Sequence, residues 1–211
     1  MAQLLYIEAS PRKKRSASIE VSRAFIEAYQ TAHPDDQIET VDLWASDLPS
    51  FDGDALAAKY AGLSGEPLTP GQAKTWSGIR RLAAPFLAAD KLLFAIPLWN
   101  FGIPYRLKQL IDLISQKDIL FSFDSSGFQG LLKARKALVV YARGLDYLSK
   151  MTSTPTAAYD FQKPYMEMWL RFVGVTEISS IVVEKTLFGA AVDDESRTQA
   201  KREAVALAAE F

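Results

Sequence analysis

The chain has 211 residues, a formal net charge of -1 and no cysteine. That length suits one domain with a sizeable core, spanning residues 1–211, and the charge balance provides no global field to draw in nucleic acid or an anionic membrane surface. Without cysteine there are no disulfides, thiolate metal sites or cysteine nucleophiles, and a cytoplasmic location fits.

In chain order, Leu4–Ala9 reads as a first strand, and the segment lacks the basic, apolar, small-residue order of a signal peptide. A loop, Ser10-Pro11-Arg12-Lys13-Lys14-Arg15-Ser16-Ala17-Ser18, leads into a helix with Ile19, Phe25, Ile26 and Tyr29 on one face. His33, the single histidine, follows that helix and reads as a solvated turn residue, which leaves no basis for a histidine triad or a metal cluster. Ile38–Leu43 alternates apolar and polar residues, as a strand near an edge does. Ser46–Glu66, rich in Asp, Gly, Ala and Ser, reads as a long loop. Thr69-Pro70-Gly71-Gln72 carries a capping residue, a proline at the first helical position and a glutamine three residues on, and so opens a second helix through Trp76, Ile79, Ala83 and Phe86.

Leu92–Pro97 and Ala137–Ala142 are nearly continuous apolar runs, the signature of strands buried on both faces. Neither they nor the longer apolar stretch Leu92–Tyr105, broken by Pro97, Asn100 and Pro104, could span a bilayer. Helical spacing recurs at Leu107, Leu110, Ile111 and Ile114, at Tyr165, Trp169 and Phe172, and at Ala204, Leu207, Ala208 and Phe211. Lys117–Gly130 reads as a second long loop, with Phe121, Phe123 and Phe128 around Asp-Ser-Ser-Gly, and Ile178–Val183 is a fifth strand. Five strands alternating with helices predict an α/β three-layer sandwich with a parallel sheet and helices on both faces.

The familiar catalytic motifs are missing. There is no G-x-G-x-x-G, no P-loop and no G-x-S-x-G elbow. Three loops remain, each following a strand. The serine loop offers hydroxyls and backbone N–H groups at a helix N-terminus, a fit for phosphate, although a serine there can equally be an ordinary cap. Pro97-Leu98-Trp99-Asn100-Phe101-Gly102-Ile103-Pro104 places two large aromatics and an amide in a turn, as a wall for a flat ring system or as a buried contact. Ala142-Arg143-Gly144-Leu145-Asp146-Tyr147 combines a fixed positive charge with a glycine, or is a routine turn. In the strand order 2-1-3-4-5 the switch point lies between strands one and three, where ligands bind outside the carboxyl ends, so the three loops would converge on one crevice.

These residues resemble the FMN-dependent NADH azoreductase family, within the flavodoxin-like quinone reductases, over nearly the whole chain. The resemblance is carried by Ser10-Pro11-Arg12 with Ser16-Ala17-Ser18, by Pro97–Pro104, by Phe121–Phe123 and Phe128–Leu132, and by Gln162–Tyr165 with Phe172–Val175. It implies a flavodoxin-like fold, with FMN phosphate and ribityl contacts at Ser10, Ser16, Ala17 and Ser18. It implies isoalloxazine contacts at Pro97, Leu98, Trp99, Asn100 and Phe101 and at Ala142, Arg143, Gly144 and Leu145. The third loop departs from the family's Ser-Arg-Gly-Gly pattern at Ala142 and Leu145, and Tyr147 stands where the family has a histidine.

The expected activity is ping-pong reduction of quinones and aromatic azo compounds by NADH or NADPH through bound FMN, in which the flavin carries the hard chemistry. Asn100, Phe101, Arg143 and Tyr147 are the expected neighbours of the reacting ring. Phe121, Phe123, Phe161 and Tyr165 are expected either in the core or around a substrate pocket, some of them contributed by the second subunit of an implied homodimer. The alternative is a flavodoxin-type electron carrier without small-molecule turnover. Such carriers tend to be strongly acidic, unlike this chain.

Overall fold

The computed structural model describes residues 1–147 and 156–211. Five strands, β1 (Gln3–Glu8), β2 (Gln37–Asp42), β3 (Lys91–Pro97), β6 (Lys136–Ala142) and β7 (Glu177–Val183), form one parallel sheet in the order β2-β1-β3-β6-β7. In sheet-strand count this is 2-1-3-4-5, the order of the flavodoxin-like fold that the resemblance implies. The alternating strand β2 lies at an edge, and β3 and β6 are buried through their middles.

Successive strand residues point to opposite faces, and each face has its own core. On one side Leu5, Ile7, Phe94, Ile96, Val139 and Tyr141 pack with Ile79, Phe86, Leu107, Leu110 and Trp169. These come from α3 (Pro70–Ala88), α4 (Tyr105–Ile114) and α5 (Gln162–Phe172). On the other, Leu4, Tyr6, Leu93, Val140 and Ile181 pack with Ile19, Phe25, Ala200 and Ala204 of α1 (Ala17–Ala32) and α6 (Ala190–Ala208). The start of α3 is the capping box read from the sequence. The Thr69 hydroxyl accepts from the Gln72 N–H at 3.3 Å, and the Gln72 side chain accepts from the Thr69 N–H at 2.9 Å.

Three readings change. The segment Ser46–Glu66 is not all loop, because α2 (Gly53–Ser64) lies within it. Asp52 caps that helix by accepting from the Asp54 and Ala55 N–H groups, and Gly65, at φ 71°, ends it in the left-handed region that glycine enters freely. Lys117–Gly130 contains a hairpin of β4 (Phe121–Asp124) and β5 (Gly127–Gly130). His33 is not a solvated turn residue. It caps the C-terminus of α1 with its ring 4.6 Å from that of Tyr29, and its Nε2 is buried without a hydrogen-bond partner among the described residues.

The register sets the ends of the strands level. Glu8 lies opposite Ala95, and Pro97 opposite Ala142. The loops leaving β1, β3 and β6 therefore emerge at the same end of the sheet. The hairpin sits elsewhere. Phe121 packs on Phe172 at 4.9 Å, at the far end of α5 from Gln162, whose side-chain amide donates to the Ile96 carbonyl near the end of β3. An eleven-residue helix spans about 16 Å, so roughly that distance separates the hairpin from the loop cluster.

Candidate flavin site

The loop after β1 turns back on itself before α1. Ser10 is buried, and its Oγ accepts from the Arg12 N–H at 3.4 Å. One 3-10 turn, Lys13–Arg15, delivers the chain to Ser16. Ser16 stands at the cap position of α1 in extended backbone, yet its side chain makes no capping hydrogen bond. Its Oγ instead lies 3.2 Å from the Oγ of Ser18, both buried. The first turn of a sixteen-residue helix thus keeps N–H groups that its cap does not satisfy, beside two hydroxyls and at the positive end of the helix dipole. That is the arrangement a phosphate needs.

The charges of this loop divide. Lys13 is committed to Glu8 and Asp42, and Glu8, nearly buried, also faces Arg23 at 3.5 Å. Arg12, Lys14 and Arg15 are exposed. The loop is anchored from the next strand over, where Trp44 Nε1 donates to the Ala9 carbonyl at 3.0 Å.

The loop after β3 is a tight two-residue turn. Trp99 and Gly102 exchange N–H···O bonds of 3.0 and 2.9 Å, and the two central residues, Asn100 and Phe101, both have positive φ, 44° and 70°. This is the backbone of a type I′ turn. Asparagine tolerates it; phenylalanine does so at a steric cost of about 1 kcal/mol. The Phe101 ring at this strained position stands out from the fold, 48% exposed. Trp99 packs inward between Trp44, at 5.7 Å, and Tyr105, at 6.3 Å, and so supports the turn from behind. Leu98 donates its N–H to the Ala142 carbonyl at 2.8 Å and joins this loop to the third.

In the third loop, Leu145 is exposed and Tyr147 buried. Arg143 does not offer its charge to the crevice. The guanidinium is 2% exposed and donates to Asp160 at 2.6 Å, to Gln162 at 3.2 Å and to Glu184 at 3.3 Å, with the Tyr147 ring 5.2 Å away. Burial pushes the Glu184 carboxyl above its ordinary value, against the pull of Arg143. Burial likewise raises the Tyr147 phenol. Gly144 leaves room on its side for Leu187, whose Cδ1 would lie 2.7 Å from an added Cβ.

The four remaining aromatics separate. Phe161 is exposed and tied to the strained turn, its N–H donating to the Phe101 carbonyl at 2.9 Å. Tyr165, one turn further along α5, is half-buried against the core. Phe121 and Phe123 lie on the distant hairpin. There, with Phe128, Trp76, Leu63 and Lys59, they line a separate groove of about 330 Å³. The structure therefore brings together the serine loop, Pro97–Phe101, Ala142–Leu145 and Phe161 within one chain, and leaves Phe121 and Phe123 apart. Sequence reasoning missed Asp160 and Glu184, and singled out Gln162 only as the start of a segment that carries the resemblance, without its role on Arg143. No local pattern shows that these three hold Arg143, because they lie 17, 19 and 41 residues from it.

A parallel sheet in this order, with a phosphate-type loop and an aromatic turn at its switch point, defines a flavodoxin-like protein. A sequence profile described as "Flavodoxin-like fold" matches residues 2–208, and the chain belongs to that family. FMN-dependent NADH:quinone oxidoreductase 9 of Burkholderia lata is 59% identical over 208 residues, covering 95% of this chain and 99% of its own. FMN-dependent NADH:quinone oxidoreductase 3 of Pseudomonas fluorescens is 49% identical over 99% of this chain and 96% of its own. Among solved structures, an azoreductase from Bacillus anthracis superposes with a TM-score of 0.90 at 28% identity over the whole of both chains. An FMN-dependent NADH-azoreductase from the same species, in complex with FMN, reaches 0.83 at 25% identity, covering 99% of this chain and all of its own.

Proposed function

We propose that this protein is an FMN-dependent NAD(P)H oxidoreductase that reduces quinones and aromatic azo compounds. The observation that carries the reading is the convergence of an incompletely capped, serine-lined helix N-terminus with an exposed aromatic turn at one switch point. The names of relatives up to 59% identical supply the reaction class. FMN fits the residues present. Ser10, Ser16 and Ser18 with the first-turn N–H groups of α1 would hold its phosphate, and Pro97–Phe101 with Ala142–Leu145 would flank its ring. Bound there, FMN would supply a two-electron store able to take hydride from a nicotinamide and pass it to a flat electrophile.

The chain's own work is binding and orientation. Phe101 and Phe161 offer apolar faces beside the ring site, and Asn100 offers an amide at its edge. Donor and acceptor occupy the same open face in turn, which gives ping-pong kinetics. The guanidinium of Arg143 is internally paired, so the third loop contributes backbone and Leu145 rather than charge. Two copies are proposed to pair. The exposed Phe123 and Phe128 on the hairpin would reach a flavin only from a partner subunit, since within one chain they lie about a helix length from the site. The working unit is proposed to be one cytoplasmic domain over residues 1–211. Among the described residues no helix is long and apolar enough to cross a membrane.

The test is spectroscopic. Protein is reconstituted with excess FMN and desalted, then NADH or NADPH is added anaerobically, followed by benzoquinone. Retained flavin bands that bleach with a nicotinamide and recover with quinone support the reductase and identify its donor. Retained flavin that no nicotinamide bleaches points to the electron carrier instead. No retained flavin overturns the reading.

A further inference from the structure

Arg143 and its partners form a hub that the proposed reaction does not itself use. The guanidinium, on the loop leaving β6, reaches Glu184 just past β7 and both Asp160 and Gln162 at the start of α5. Gln162 is fully buried and donates from its other end to the Ile96 carbonyl near the end of β3. Three strand ends and one helix start are thus drawn onto one cation. A buried ion pair of this kind adds little net stability once desolvation is counted, but it fixes the geometry of the groups that carry it.

Asp160 is where the hub acts on the site. Its Oδ2 takes the Arg143 hydrogen bond at 2.6 Å, while its Oδ1 accepts the N–H groups of Gln162 and Lys163, each at 3.1 Å. Both oxygens are therefore committed, one to the hub and one to the first turn of α5. The residues on either side of Asp160 touch the strained turn. Phe161 donates its N–H to the Phe101 carbonyl at 2.9 Å, and the Tyr159 ring lies 5.4 Å from that of Phe101. Phe161 and Tyr159 are themselves exposed.

We propose that the Arg143–Asp160 pair is a positioning device that fixes Tyr159 and Phe161 against Phe101 as one wall of the acceptor pocket. The inference rests on the proposed reductase function. Arg143 and Asp160 act through the wall and contact neither donor nor acceptor. Loosening the pair lets the wall swing without disturbing the serine loop, so acceptor binding suffers while flavin retention and the donor half-reaction do not. Bulky azo acceptors, which need more of the wall, are affected more than benzoquinone.

The decisive variant is Asp160→Asn. Its amide oxygen can still accept from the α5 N–H groups, but its amide nitrogen faces a guanidinium and cannot accept the hydrogen bond. The expected results are faster hydrogen exchange confined to residues 159–163 in the flavin-free protein, and an acceptor KM raised about tenfold with kcat held within about twofold. The Kd for FMN stays within about twofold. Phe161→Ala closes a double-mutant cycle: if Asp160 acts through the wall, adding Asp160→Asn to it changes the acceptor KM little further. Unchanged local exchange, an unchanged acceptor KM, or a loss of FMN affinity and of donor rate that accompanies the rise in acceptor KM would each overturn the proposal. Should Asp160→Asn not fold, Asp160→Ser, which keeps a short acceptor for the α5 N–H groups but cannot reach out to pair with Arg143, is read the same way. Wild-type protein that retains no FMN is a different failure, since it removes the function on which the positioning role rests.

Discussion

The two ends of the parallel sheet are built on opposite plans. Where the strands begin, polar groups are spent on holding segments together. Asp36 accepts the Tyr29 hydroxyl at 2.6 Å and the Ala2 N–H, and lies 3.6 Å from Lys91. Asp90 accepts the Gln3 N–H at 2.9 Å and pairs with Lys133 at 2.6 Å. Close by, Gly130 meets Val173 and Gly174 backbone to backbone. Where the strands end, a helix is left incompletely capped, four non-glycine residues (Lys13, Asn100, Phe101 and Lys185) sit at positive φ, and the Phe101 and Phe161 rings stand out from the fold. Among the described residues, four of the five non-glycine positions at positive φ lie at this end, Asp118 beside the hairpin being the fifth, and a ligand here can compensate for such departures.

Four measurements would break or sharpen that contrast. The largest effect is expected at the holding end. An added Cβ at Gly130 would lie 2.2 Å from the Gly174 nitrogen and the Val173 carbonyl carbon, so backbone must move. Gly130→Ala should cost about 3 kcal/mol, read by denaturant unfolding, with FMN affinity of the folded fraction unchanged. An equal loss of flavin would couple the two ends.

At the ligand end, replacing Ser16 and Ser18 together by alanine should weaken FMN binding roughly 10- to 100-fold. This is the scale of losing charge-assisted hydrogen bonds, and flavin fluorescence titration measures it. The apo protein should melt within a few degrees of wild type. The strained turn permits a smaller comparison. Phe101→Gly and Phe101→Ala lose the same ring, but only glycine relieves the positive φ. The glycine variant should therefore be more stable than the alanine variant by about 1 kcal/mol. Equal stabilities would mean that the turn stores no strain.

The smallest effect is electrostatic. The Tyr29 hydroxyl, then the Ala2 N–H, hold the Asp36 carboxyl below its ordinary value, with Lys91 adding to them. A depressed carboxylate stabilises the fold above its unfolded pKa, and that contribution disappears as pH falls through the folded value. Asp36→Asn should lower Tm by about 3 °C at pH 7, and the gap should close as the pH is taken below the usual carboxylate range. A gap independent of pH would assign the loss to shape rather than charge.

Much of the fold was legible in the residues because its signals are local. The buried strands β3 and β6 announce themselves as apolar runs, and the start of α3 as Thr-Pro-Gly-Gln. The helix α2 escaped notice because Ala, Gly and Ser give it only a weak apolar face, although its two stops, Asp52 and Gly65, are present in the sequence. The hairpin had its signal too, in phenylalanines alternating at 121 and 123 before a Ser-Ser-Gly turn, but a loop is the commoner reading of such a segment.

By itself the sequence determined the five strands of the main sheet, most of the helices and the three loops that follow β1, β3 and β6. Periodicity and turn chemistry act over a few residues and can be read there. Tertiary structure alone decided that Arg143 faces inward to Asp160, Gln162 and Glu184, that Phe161 joins the strained turn, and that Phe121 and Phe123 stand away from it. A buried guanidinium must be satisfied by whatever acceptors the fold brings within reach, and no local pattern records which those are.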